Sequence, residues 1–317
     1  MATRVLVAGA SGYIGRHVVM ELLRREHEVV ALLRPDTTWN LNHPNLQTVR
    51  VQLTEPGDEL GTIQPCSAIV SCLASRTGGL DDARRVEFDA NSELLKTAVC
   101  WQVRRFVLLS AICVQKPRLA FQQEKRRFEV ALQTSEVPWT IVRATAFFKS
   151  LSGQIERVRS GKAFLVFGDG TLTACKPIAE EDLAVFLVDQ LADPASQGAI
   201  LPVGGPGPAI TPREQAALLG RLLGKPVTVR SLPPGLFLLV ANALKPLAYF
   251  SSRLRDREEF FRIAHFYATE SMLLWSEERQ QYCADLTPET GSKRLEDCYR
   301  GLIAGDTTHD LGEHKLF

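Results

Sequence analysis

The sequence predicts an α/β fold, a doubly wound parallel sheet with a smaller C-terminal substrate-binding lobe, and three observations carry that expectation. A short apolar run, Val5 to Ala8, enters a turn that places glycines at Gly9, Gly12 and Gly15. The residues that follow, Ile14, Val18, Val19, Leu22 and Leu23, recur at helical spacing. Further apolar runs at Val29–Leu33, Thr48–Leu53, Ala68–Cys72 and Phe106–Leu109 then alternate with helical patterns, as right-handed crossovers in a parallel sheet require.

The first strand and its glycine turn set the expected ligand. A strand-to-helix turn rich in glycine lets backbone approach a pyrophosphate, whose charge is favoured by the N–H groups and positive dipole end of the next helix. Gly9, Ser11, Gly12, Tyr13, Ile14 and Gly15 are therefore expected to bind a dinucleotide in a Rossmann-type core. The helix is expected over Ile14–Arg25. The second strand ends in Arg34, where an NAD site usually carries an acid for the ribose 2′-OH. An arginine there suits a 2′-phosphate, so NADPH is favoured.

Ligands of open parallel sheets lie outside the carboxyl ends of the strands, which directs attention to the residues after each one. After the fourth strand, Leu73-Ala74-Ser75 offers a small, backbone-rich rim, with Ala74 the expected contact. A helix is expected from Asp81 to Trp101. After the fifth strand comes Ser110, and further on Phe121-Gln122-Gln123-Glu124-Lys125. Trp139–Arg143 reads as a sixth strand and Ala199–Val203 as a seventh. Between them, Lys149–Arg159 and the turn Phe167-Gly168-Asp169-Gly170 read as an excursion from the core. The expected division is an NADP-binding core over 1–148 and a substrate-binding part over 149–317, with 176–205 returning to the core sheet.

Composition narrows the function. The 317 residues are 45% hydrophobic, enough for a large composite core, and 37 basic against 36 acidic residues give no field to draw in nucleic acid. Seven cysteines include no C-x-x-C pair and six histidines no H-x-x-x-H pair, which argues for free thiols and against a structural metal. The first strand starts so early that no signal or transit peptide is expected ahead of it, giving a cytoplasmic protein or a mature form. No uninterrupted apolar run is long enough to span a membrane. The nearest, Leu232–Phe250, is followed by Arg253, Arg255 and Arg257. A buried helix, a lid over an apolar ligand and peripheral contact with a membrane surface all stay open for it, as does oligomeric state.

Ser110 followed by a lysine at Lys125 resembles the short-chain dehydrogenase/reductases, which place Tyr-x-x-x-Lys on a helix after the fifth strand. Phe121 stands at the tyrosine position, and none of the five tyrosines has a lysine four residues later. That resemblance implies that the lysine holds the nicotinamide ribose and that a phenol protonates a carbonyl oxygen. Phenylalanine cannot donate a proton. Either catalysis is lost or the reducible bond is one that needs no acid there, such as a carbon–carbon double bond conjugated to a large π-system.

Longer stretches resemble one atypical branch, the NADPH-dependent 8-vinyl reductases of chlorophyll synthesis, which act on divinyl chlorophyllide a or divinyl protochlorophyllide. They are Phe106–Glu129, Thr140–Lys176, Ile200–Glu214, Tyr267–Leu273 and the closing Phe317, with FFKSLSGQ, FGDG-x-x-TACKPI and GGPGPAITPRE the specific parts. Phe121 belongs to that pattern. Ala144, where relatives commonly have proline, and Gln52, where many have aspartate, depart from it. The resemblance implies reduction of the 8-vinyl group of a magnesium tetrapyrrole to ethyl in chlorophyll or bacteriochlorophyll synthesis. It asks for an apolar slot, for which Phe147, Phe148, Leu151, Phe164 and Phe167 are candidates with Leu236, Phe237 and Leu238 as a cover. Phe147 is placed on the cofactor side; Phe148, Lys149, Phe167 and Lys176 are the substrate contacts. Lys125 and Lys176 are the candidates for catalytic roles, with Cys175 or water as other sources of the carbon-bound proton, and His265 is a candidate axial ligand for the pigment's own magnesium. Two alternatives stay open: a non-catalytic NADP-binding module of the NmrA-like sensor or assembly-factor kind, and a reductase of another conjugated alkene.

Overall fold

A computed structural model describes residues 3–54 and 60–305; Phe317 of the resemblance lies outside them. The strands are β1 (Arg4–Ala8), β2 (Glu28–Leu33), β3 (Leu46–Arg50), β4 (Ala68–Ser71), β5 (Arg105–Ala111), β6 (Trp139–Ala144), β7 (Phe164–Phe167), β8 (Ala199–Val203), β9 (Val229–Leu232), β10 (Leu274–Ser276) and β11 (Gln281–Cys283). Seven form one sheet in the order β3-β2-β1-β4-β5-β6-β8. Every neighbouring pair from β3 to β6 is parallel. The order runs outward from β1 in both directions, which is the doubly wound arrangement, and its reversal between β1 and β4 is where such sheets bind ligands. β7 pairs with β9, and β10 with β11, in two small separate sheets.

The chain divides into two compact units. The first comprises the residues up to Ser75 with Asp81–Ala144 and Glu180–Leu201; the second comprises Arg76–Leu80, Thr145–Ala179 and the residues from Pro202 onward. In the first, the central strands read as unbroken apolar runs because both faces are covered. Leu6, Val30, Ile69, Phe106 and Ile141 pack with Leu94, Phe128 and Leu132 from the helices. In the second, Phe148, Ile155, Phe164, Val166, Leu219 and Tyr299 form a separate core. There the fully buried Tyr299 phenol donates a 2.7 Å hydrogen bond to the Leu151 carbonyl. Its burial pushes its pKa upward.

Three local expectations differ from what is observed. The third strand is shifted toward the N-terminus, because it is an edge strand with mostly exposed side chains whose register follows pairing with β2, Leu46 opposite Val29. The helix expected from Asp81 is interrupted: a π-helical turn, Arg84–Asp89, joins a short turn at Leu80–Ala83 to the helix Ala90–Trp101. Ser110 lies inside β5, opposite Arg143 of β6, and not beyond the strand end. Among the described residues no helix is long and apolar enough to cross a membrane.

Candidate functional site

The glycine turn has the geometry that a pyrophosphate needs. Gly9 adopts φ +73°, and a Cβ there would lie 2.6 Å from the Cys72 carbonyl oxygen at the end of β4. A Cβ on Gly15 would sit 2.2 Å from the Gly9 carbonyl oxygen, so both positions exclude any side chain. At Gly12 the nearest atom to an added Cβ is the Gly9 oxygen, 3.1 Å away, and no other lies within 4 Å. Packing therefore demands glycine at two positions, while Gly12, which is exposed, leaves an open cradle that a side chain would fill. The helix that follows, Tyr13–Arg24, has no side-chain cap at Gly12 and no acid in its first turn. Its positive end is offered to an anion, so the residues fit a dinucleotide diphosphate. Tyr13 donates from its hydroxyl to Glu180, which fixes the start of this helix. Ser11 is half-buried and Ile14 buried.

Arg34 is exposed immediately after β2. Its loop is held by Arg50, which no motif singles out: it donates to the Pro35 carbonyl and, at 3.0 Å and 3.3 Å, to those of Thr37 and Arg34. Arg16 stacks over Trp39, 5.9 Å from its ring centre. These arginines give the end of β2 a positive character that complements a phosphate.

At the ends of β4 and β5, the chemistry runs through buried carboxylates. Lys125 Nζ lies 2.6 Å from Glu87 Oε2, with the two side chains 12% and 2% exposed. The second oxygen of Glu87 accepts a 2.9 Å hydrogen bond from the Ser75 N–H. Asn91 donates at 3.0 Å to the Glu87 carbonyl and accepts from Ser71 at 2.6 Å. Thus the π-helical turn, a wide turn often found at functional sites, carries the acid that ties Lys125 to the rim after β4. Ala74, on that rim, is exposed. The Ser110 hydroxyl donates at 2.7 Å to Glu129, which is fully buried and ion-paired with Arg143. That hydroxyl is turned into the packing between β5, β6 and the helix Ala120–Gln133. Phe121, half-buried at the start of this helix, brings no proton. Glu87, Glu129 and Arg143 escaped sequence reasoning because isolated charges on helical or strand patterns read as solvated; an acid two residues from an apolar run was too weak a signal.

In the second unit, Phe147 follows β6 and forms a parallel bridge with Ile178, whereas Phe148 is 3% exposed and belongs to the core. Lys149 is half-buried on the short helix Phe148–Leu151. Phe167, at the end of β7, meets Phe237 with ring centres 5.2 Å apart, and Phe237 meets Phe261 at 6.3 Å. A candidate slot residue and one of its candidate covers are thereby brought together. Four residues beyond Phe261 on the helix Ser252–Thr269 comes His265, on the same helical face. Lys176 is 6% exposed; its ammonium donates to Glu289 and, at 3.3 Å, to the Thr287 carbonyl. Lys176 and the N–H of Gly207 hold the Glu289 carboxyl below the ordinary carboxylate range. Cys175 is buried, and burial pushes its thiol up to about 12, so it stays protonated at neutral pH.

An NAD(P)H-binding family model matches residues 9–194. A divinyl chlorophyllide a 8-vinyl-reductase of rice is 44% identical over 99% of this chain and 82% of its own length.

The chain belongs to the divinyl chlorophyllide a 8-vinyl-reductase family.

The corresponding reductase of Arabidopsis thaliana is 38% identical over 98% of this chain and 79% of its own. Both plant reductases are described as chloroplastic. Among solved structures, an NADPH-dependent quinone oxidoreductase from Escherichia coli, complexed with NADPH, superposes with a TM-score of 0.65. It covers 94% of this chain and 99% of the other at 17% identity, a likeness that shows the shared fold. The family model makes the cofactor a nicotinamide dinucleotide, in keeping with the open cradle at Gly12.

Proposed function

We propose that this protein reduces the 8-vinyl group of a divinyl magnesium tetrapyrrole to an ethyl group in chlorophyll or bacteriochlorophyll synthesis, with NADPH as reductant. The observation that carries this reading is the near full-length relationship to a reductase of that group, 44% identical over 99% of the chain. Phe121 supports it chemically. Hydride addition to an alkene conjugated with a macrocycle spreads charge into the ring, and the proton is delivered to carbon, so no phenol is needed to protonate a carbonyl oxygen.

Bound NADPH supplies the hydride. The turn Gly9–Gly15, through Gly9, Ser11, Gly12, Tyr13, Ile14 and Gly15, holds the diphosphate, and Arg34 pairs with the 2′-phosphate. Ala74 lines the nucleotide side through its backbone. We assign Ser110 and Lys125 to holding the nicotinamide half, Lys125 directly and Ser110 through the β5 backbone, and Phe147 to the cofactor side. Glu87 is the positioning residue for Lys125, because it fixes the ammonium while also fixing the Ser75 N–H. Phe148, Lys149, Phe167 and Lys176 are assigned to the pigment, Phe148 by shaping the wall from within the core. Lys176 or Lys125 bears the proton that carbon receives; Glu289 holds the Lys176 ammonium in place.

The test is to incubate the purified protein with NADPH and a divinyl chlorophyllide, then to analyse the pigment by chromatography and mass spectrometry. Gain of two hydrogens at the vinyl group, without flavin or ferredoxin, is the expected result. NADPH binding with no change in the pigment would instead favour a non-catalytic module or another alkene. Replacing Arg34 with Asp should shift cofactor preference toward NADH by about 100-fold, since one favourable and one repulsive charge contact change together. Unaltered selectivity in competition assays would place the 2′-phosphate elsewhere.

A further inference from the structure

The helix Gly235–Ala248 is apolar on two faces, and only one of them is used inside the protein. Its inner face carries Phe237, Ala241, Leu244 and Ala248; Phe237 packs on Phe261, while Ala241 and Ala248 are buried. The outer face carries Leu236, Leu239, Ala243, Leu247 and, just beyond the helix, Phe250, spaced three or four residues apart. All five are exposed, with Leu239 at 68%, Leu247 at 54% and Phe250 at 84%. Tyr249 beside them is 86% exposed. A stripe of this length runs about 20 Å along a helix. Helices at a water-facing surface normally turn charged residues outward, and one that is apolar all round is expected to lie in an apolar medium.

The charges around the stripe indicate which medium. Lys245 is the only charged residue of the helix, and Arg253, Arg255 and Arg257 follow, all exposed. Asp256 lies among these arginines; of the two acids that follow, Glu258 is paired with Arg262 and Glu259 is buried. Apolar and aromatic side chains flanked by clustered arginines match the acyl boundary and anionic headgroups of a bilayer. At 14 residues the helix is too short to span a bilayer and suits an orientation in the interfacial plane. We propose that the stripe Leu236–Phe250, with Lys245, Arg253, Arg255 and Arg257, docks the protein on an anionic lipid surface. The inference stands on this surface alone and does not depend on which bond the protein reduces.

Flotation of the purified full chain tests it, with vesicles of phosphatidylcholine alone and of phosphatidylcholine mixed with phosphatidylglycerol. The protein should float with the mixed vesicles and less with the neutral ones. L239E/L247E should abolish flotation with either. R253Q/R255Q/R257Q should weaken binding to the mixed vesicles by about 100-fold while leaving weak binding to neutral vesicles. Circular dichroism and thermal melting of both variants check that they fold; none of these exposed positions is among those assigned to the cofactor or the pigment. No flotation of the native protein, or flotation that both variants retain, overturns the proposal. A native dimer by light scattering that L239E/L247E converts to monomer, with no vesicle binding, would assign the stripe to a second copy and overturn it equally.

Discussion

Two lysines in this molecule are held by acids in geometrically similar ion pairs, yet their surroundings differ. Lys125 is tied to Glu87, whose side chain is 2% exposed and whose other oxygen is taken by the Ser75 N–H. Lys176 is tied to Glu289, whose side chain is 43% exposed, although Lys176 itself is buried. In the first pair both charges have left water, so Lys125 depends on the Glu87 carboxylate, which the Ser75 N–H also stabilises. In the second only the carboxylate keeps contact with water, and the buried Lys176 ammonium also reaches the Thr287 carbonyl. The first pair is therefore a closed framework around a lysine assigned to the nicotinamide, while the second reaches from the solvent side to a lysine assigned to the pigment.

The largest effect is expected from Glu87→Ala. It strands the Lys125 charge and the Ser75 N–H and should cost about 3–5 kcal/mol in urea unfolding, the range for breaking one side of a buried pair. A loss comparable to that of a surface pair would mean that water reaches Lys125 and would erase the contrast. Next comes Gly12→Ala, which should weaken NADPH binding by about tenfold, because its methyl fills the diphosphate cradle. Its loss of stability should be much smaller than that of Gly15→Ala, because the added methyl lies 3.1 Å from the Gly9 carbonyl oxygen at Gly12 but 2.2 Å at Gly15. Equal stability losses in the two would show that the turn is closed at Gly12 as well.

A smaller effect, about 1–3 kcal/mol, is expected for Glu289→Ala, because the buried Lys176 ammonium loses its carboxylate but keeps the Thr287 carbonyl. Its pH dependence has a definite sign. The Glu289 pKa is lowered in the folded protein, so the tether is intact above the ordinary carboxylate range and is lost only as pH falls through the depressed value. The acidic limb of a Lys176-dependent rate should accordingly begin below that range; a limb starting within it would show a broken pair. Smallest is the response to thiol alkylation at neutral pH. Burial pushes Cys113 up to about 11 and Cys66 up to about 11, as it does Cys175 to about 12, whereas Cys100 is exposed. Peptide mapping after iodoacetamide treatment should find label on Cys100 and not on these three; prompt labelling of Cys175 would indicate an opened second unit.

The parallel core was legible in the chain because buried strands must be continuous apolar runs and the diphosphate turn must be glycine at positions without space. The same logic located β1, β2, β4, β5, β6 and β8 within a few residues. It misjudged β3, since an edge strand owes its register to hydrogen bonds with β2 and carries little apolar signal. It also ran one helix through Arg84–Asp89, because a π-turn leaves the hydrophobic pattern almost unchanged.

By itself, then, the sequence determined the doubly wound sheet, the dinucleotide turn and the absence of a phenol at Phe121, all of which depend on local residue type and spacing. The tertiary structure alone decided what those parts are fastened to. Glu87 reaching Lys125, Glu129 capturing Ser110, Glu289 holding Lys176 and Phe237 meeting Phe167 join residues 19 to 113 positions apart. Such pairings arise because a buried charge or hydroxyl must find a partner wherever the packed chain provides one, and no periodicity along the sequence records that choice.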